Sequence, residues 1–101
     1  MMYEIVGIYH SGTKGERNEK RMEKDYRNRI GRKVDINLDE VYLDRSLIIP
    51  YIFDSNGDNL RGKYLATSKV MDICYKLGTS ILRIETMNSI FEFEKVEHEF
   101  G

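Results

Sequence analysis

At 101 residues the chain has room for one small domain and not for two ordinary ones. Hydrophobic residues make up 41%, enough for a core, and 16 Lys/Arg against 17 Asp/Glu give a net charge of −1, which excludes a uniformly basic nucleic-acid binder and an acidic disordered tail. A single cysteine, Cys74, excludes an internal disulfide and any zinc site built on two thiolates, so a reducing, cytoplasmic setting is expected.

Residues 3–10 are rich in β-branched and aromatic types, with Ile5, Val6, Ile8 and Tyr9, and read as a strand buried on both faces and closed by Gly12. Glu4 stands where a signal peptide carries Lys or Arg, and the apolar run is too short for a bilayer; neither secretion nor membrane insertion is expected. Thr13-Lys14-Gly15-Glu16 fits a capping box, in which hydroxyl and carboxylate satisfy the first free amides of a helix. It predicts a charged helix over about 14–29, with Met22, Tyr26 and Ile30 as its apolar stripe. Glu16/Lys20, Glu23/Arg27 and Asp25/Arg29 are acid-before-base pairs one turn apart, and Gly31 supplies the left-handed residue past the end. So narrow a stripe leaves most of the helix circumference in water.

The remainder reads as strand and turn. Val34, Ile36 and Leu38 alternate with Asp35, Asn37 and Asp39 in a strand over 32–38. The most apolar run, 46–53, contains Pro50, which cannot donate to a ladder and places this strand at an edge or a bulge. Asp54-Ser55-Asn56-Gly57 is a tight turn, strands over 60–68 and 69–77 follow, and 79–87 with 90–96 form the clearest hairpin around Met87-Asn88-Ser89. The expected fold is α+β: one domain over 1–101, mainly an antiparallel sheet of five to six strands curled into a small barrel or half-barrel, with one charged helix between the first and second strands.

Several constellations resolve to structure rather than chemistry. Asp54, Asn56 and Asp58 alternate like the start of a calcium loop, but its twelfth position is Leu65, so a hairpin turn is expected. His10 and His98 lack metal-ligand spacing and read as surface residues; Cys74, between Ile73 and Tyr75, reads as a buried structural thiol. Glu92 and Glu94 read as acids that keep a strand soluble. No glycine-rich phosphate loop is present, which removes NTPase and oxidoreductase readings. With no nucleophile or metal set in view, no enzymatic activity, metal or cofactor is expected.

Charge distribution is the strongest signal. Residues 14–33 hold nine Lys/Arg and four Asp/Glu, a net of +5, whereas 34–101 hold seven and twelve, a net of −5. Arginine forks match phosphate oxygens and Tyr26 adds a ring for stacking, so Tyr26, Arg27, Arg29, Arg32 and Lys33 are the candidate contacts for an anionic protein surface or a nucleotide. Two alternatives stand beside this binding or inhibitory module: an RNA- or DNA-binding accessory protein, and a structural subunit of a larger assembly. Opposite charge on the two parts of the chain also suits a homo-oligomer, and an inert, solvated helix face is the plain structural reading.

Ala66-Thr67-Ser68-Lys69-Val70-Met71-Asp72-Ile73 and Glu85-Thr86-Met87-Asn88-Ser89-Ile90-Phe91-Glu92-Phe93 resemble the closing strands of short uncharacterised proteins from phages and mobile elements of low-GC bacteria. The resemblance implies a small accessory protein that binds a host-defence component or a signalling nucleotide.

Overall fold

The computed structural model describes residues 1–97, and His98 lies outside them. The chain forms β1 (Met2–His10), a one-turn helix α1 (Lys24–Arg27), β2 (Lys33–Asp35), a 3-10 turn (Leu38–Glu40), β3 (Ser46–Phe53), β4 (Tyr64–Tyr75), β5 (Ile81–Thr86) and β6 (Ser89–Lys95). Each strand pairs antiparallel with the next and β6 returns to β1, closing a six-stranded barrel in chain order. Closure removes the free edges that an open sheet would expose.

Alternation along the strands fills the barrel. Tyr3, Ile5 and Ile8 of β1, Val34 of β2, Ile49 and Tyr51 of β3, Leu65 and Val70 of β4, Leu82 and Ile84 of β5, and Phe91 and Phe93 of β6 form one buried cluster. A register shift between Ile5 and Gly7 turns the inward face from Ile5 to Ile8, so β1 is buried on one face, with Val6 and Tyr9 half-covered, and not on both as its composition predicts. The β5–β6 hairpin is as expected: Leu82 faces Phe93 and Ile84 faces Phe91 across the ladder.

The expected strands 60–68 and 69–77 are one strand. Nothing between Thr67 and Lys69 breaks an extended chain, and β4 runs through, pairing with β3 up to Lys69 and with β5 from Val70. A shift between Val70 and Asp72 turns its face, so Ile73 points inward and Cys74 is exposed, not buried. The 32–38 strand is cut to three residues, and Leu38 enters the 3-10 turn, started by Asn37 accepting the Asp39 N–H. Pro50 lies inside β3 opposite Tyr64, and the Tyr51 N–H donates to Lys63 of the β4 side. The missing donor of Pro50 therefore points away from β4, to where β2 has ended at Asp35.

The predicted helix over 14–29 is not formed beyond the four residues of α1. Met22 is 63% exposed and Ile30 also faces water, so the stripe had nothing to bury against except through Tyr26, which packs on the core. Asn18 takes φ 70, outside the helical region. The segment instead completes the end of β1: Asn18 N–H donates to His10 O, His10 N–H to Glu19 O, and Arg21 N–H to Ile8 O. Tertiary hydrogen bonds satisfy backbone groups that would otherwise have no strand partner. Thr13 does not cap; its hydroxyl reaches Met87 O and Asn88 Oδ1.

Arg17 fixes this strap to the barrel through a two-pronged pair with Glu85, both contacts at 2.6 Å. The pair holds the Glu85 carboxyl below its ordinary 4.5, mainly through the hydrogen bonds from Arg17. A carboxylate depressed on folding adds stability that is complete above its unfolded value and is lost as pH falls through the folded one. The thermal midpoints of the protein and of Glu85→Gln are expected to differ at neutral pH and to draw together as the pH falls below the ordinary glutamate value. Curves that stay parallel into acid would remove this pair from the stability of the strap.

No helix among the described residues is long and apolar enough to cross a membrane.

Candidate functional site

The end of the barrel where β2 begins and β3 ends carries the candidate residues. Glu23 O accepts the N–H groups of Tyr26 and Arg27, which builds the single turn of α1 and places the two side chains. Two guanidinium groups lie against the half-buried Tyr26 ring, Arg21 at 4.0 Å and Arg29 at 4.8 Å from its centre. Arg21 is 8% exposed, and its guanidinium donates to Ser89 Oγ at 2.8 Å and Asn88 O at 3.0 Å, so it is a structural plug under the ring. Tyr26 is thus already engaged by guanidinium groups and packed on the core rather than open for stacking on a base.

Gly31 and Arg32 are pinned to β1 by Gly31 N–H to Ile5 O and Ile5 N–H to Arg32 O. The stretch then meets the β3–β4 turn: Arg32 Nε lies 3.3 Å from Asp54 Oδ1 and its guanidinium 4.9 Å over Tyr51. The Ser55 N–H, 2.7 Å from Asp54 Oδ1, holds the Asp54 carboxyl below the ordinary aspartate range, and Arg32 adds to the effect. Asp54 is an anion at neutral pH.

Between these walls lies a cleft of about 350 Å³, bounded by Arg27, Asn28, Ile30, Arg32, Asp54 and Ser55, almost wholly polar in its lining. Arg27 is exposed and, among the described residues, has no carboxylate partner; Asp54 offsets Arg32, so the cleft retains the charge of Arg27. Arg29, also without a carboxylate partner among the described residues, stands beside the cleft on Tyr26. Lys33 is turned away to Glu4 at 3.0 Å and lines a neighbouring hollow of about 420 Å³ with Phe53 and the turn through Gly57. The five predicted residues therefore separate: Arg27 and Arg32 share the cleft, Tyr26 and Arg29 buttress it, and Lys33 serves the next hollow.

Sequence reasoning missed Asn28 and Ser55, which bring an amide and a hydroxyl to the cleft. Ser55 reads as turn chemistry, and only the fold carries it to the arginines. One signal was present: Gly31 takes φ +91, and a Cβ there would lie 3.0 Å from Ser55 Cβ, so the two walls meet because position 31 has no side chain. Gly31→Ala is expected to cost about 1–2 kcal/mol and to open the cleft, read as a lower urea midpoint with shifted Ser55 and Arg32 amide resonances. Unchanged stability would mean that the walls close independently.

Of the other candidate ligands among the described residues, only Asp54 lies at this cleft. His10 is half-buried with its ring against Gly15, and its Nδ1 has no hydrogen-bond partner. Asp54, Asn56 and Asp58 close a hydrogen-bonded turn, with Asp54 N–H on Asp58 O and Gly57 at φ +93; of the three, only Asp54 also reaches the cleft. Among the described residues no three His, Cys, Asp or Glu side chains are grouped to hold a metal. Fold and cleft together define a small closed β-barrel with an arginine-lined polar cleft at one end. Compared with known proteins, the chain matches no protein family, no curated protein and no solved structure.

Proposed function

We propose that the protein is a non-enzymatic binding or inhibitory module that grips an anionic group in the cleft beside α1, with a nucleotide or an acidic protein surface as the class of partner. The observation that carries this reading is the Arg27 guanidinium, unpaired among the described residues in a polar cleft whose second cation, Arg32, is held by a single carboxylate contact at 3.3 Å. An incoming oxyanion accepts from Arg27, Asn28 and Ser55 and competes with Asp54 for the Arg32 fork. In the role that the resemblance of the closing strands implies, the partner is a host-defence component or a signalling nucleotide in the cytoplasm.

Titration of isotope-labelled protein with ATP tests the reading. Saturable shifts of the Asn28, Gly31 and Ser55 amides are expected, and their absence at about 10 mM, the weak limit of useful recognition, removes the nucleotide form of the proposal. A second reading, single-stranded nucleic acid, is favoured by one feature: beyond the cleft, Arg61 stacks 5.2 Å over Phe53 beside Lys33, which continues the row of cations and rings. An oligonucleotide of about ten residues separates the two, because each phosphate neutralised on a single strand adds about −0.7 to the log–log salt slope. A slope steeper than about −2 selects the nucleic-acid reading, and a flat one with ATP binding retained selects the nucleotide.

A further inference from the structure

At the opposite end of the barrel, where β1 begins and β2, β4 and β6 end, lies a second cavity, of about 480 Å³. Barrel mouths are a common place for small ligands. Tyr3, fully buried, holds its hydroxyl 2.6 Å from that of Tyr75, which lies 47% exposed at the end of β4. Two hydroxyls that share one hydrogen bond use only one of their two hydrogens, so the accepting partner keeps an O–H to donate elsewhere. Burial, with the bond to Tyr75 adding to it, pushes Tyr3 up to about 12, and the pair is a neutral donor rather than a phenolate.

The charges at this mouth are arranged in a specific way. Asp35 is engaged by the Met1 ammonium at 2.7 Å. Asp39 and Lys95 also line the cavity, and among the described residues neither has an oppositely charged partner. Lys95 sits on β6 opposite Tyr3, whereas Asp39 follows β2 on the other side of β1. The two thus flank β1 from opposite sides, and the hydroxyl pair and the apolar side chains of Ile36 and Leu38 share the cavity with them. A free cation, a proton donor, an apolar wall and a free anion complement a zwitterion with an apolar body and well-separated charges. In a single amino acid the charges are one residue apart; each further residue adds about 3.3–3.6 Å, so the termini of a short peptide suit two charged groups that stand on opposite sides of a strand.

We infer that this mouth binds a short free peptide with an apolar side chain, its carboxylate on Lys95 and the Tyr3–Tyr75 hydroxyl pair and its ammonium on Asp39. The inference is independent of the arginine cleft.

The probe is L-alanyl-L-leucine, added to isotope-labelled protein and followed through the amides of Ile36, Leu38, Tyr75 and Lys95. Saturable shifts below about 10 mM are expected, with affinity falling roughly ten-fold when the dipeptide is amidated at its carboxylate or acetylated at its amine, the worth of one charge-assisted hydrogen bond. Lys95→Met is expected to weaken the unmodified dipeptide by a similar factor and to erase the penalty of amidation; Asp39→Asn does the same for acetylation. Both side chains are exposed, so neither change touches the core. No saturable shift, equal affinity for the capped dipeptides, or capping penalties that survive in the two variants would each overturn the inference.

Discussion

Phe93→Ala is expected to cost about 3–5 kcal/mol, a large part of the roughly 5–15 kcal/mol that holds a typical domain folded. Phe93 is wholly buried, edge-on to Tyr3 at 6.5 Å and stacked on Phe91 at 6.1 Å between ring centres. Its register partners are Ile5 on one side and Leu82 on the other, so it links β1 and β5 through β6. A closed barrel cannot collapse onto the space left by a lost ring without breaking a ladder, and the cavity persists. With an ordinary urea slope of about 1–3 kcal/mol per M, the midpoint should fall by roughly 2 M. A loss under about 1 kcal/mol would show that the interior repacks and that Phe93 is not its keystone.

The larger functional effect belongs to Arg27 and Arg29. Reversing both to Glu is expected to weaken anion binding about a hundred-fold or more, since the cleft loses its unpaired cation and gains one charge of the ligand's own sign in it and another beside it. The fold is expected to survive: Arg27 is exposed, and Arg29 gives up its stacking on Tyr26, worth about 0.5–1 kcal/mol, while Arg21 still covers the ring. A matched variant, Lys14→Glu with Lys69→Glu, changes net charge equally at exposed positions outside the cleft. Binding lost in the first and kept in the second places recognition in the cleft; equal losses in both reduce it to long-range attraction.

The barrel was legible in the chain because β-strands record their inward face at every second residue. Leu82, Ile84, Phe91 and Phe93 state the closing hairpin and its register, and Asp54 to Gly57 state the turn. What alternation hides is the bulge. One extra residue near Val6 and another near Met71 reset the pattern, and the second is why Cys74, set between apolar neighbours in the sequence, faces water.

The helix failed for a different reason. Thr13, Glu16 and the acid–base pairs each follow a local rule for a helix, but local terms of this kind are worth tenths of a kcal/mol each, Gly15 works against them, and the stripe offered little apolar area to bury. The uncovered end of β1 offered backbone hydrogen bonds, and the hydroxyl of Thr13 and the guanidinium of Arg17 found partners more than sixty residues away. The candidate site was legible only as composition: the excess of arginine near 27–32 is real, but which of them share a cleft depends on a turn more than twenty residues further along.

The most direct test of the central claim is native mass spectrometry of the protein taken gently from its source cells, alongside the Arg27→Glu/Arg29→Glu variant. A retained mass of nucleotide size on the protein, absent from the variant, is the predicted result, with subunit number read from the same spectrum. The same added mass on both proteins, or an unmodified protein that also fails to bind ATP in titration and to capture an acidic partner through Arg27, would contradict an anion-binding role for the cleft.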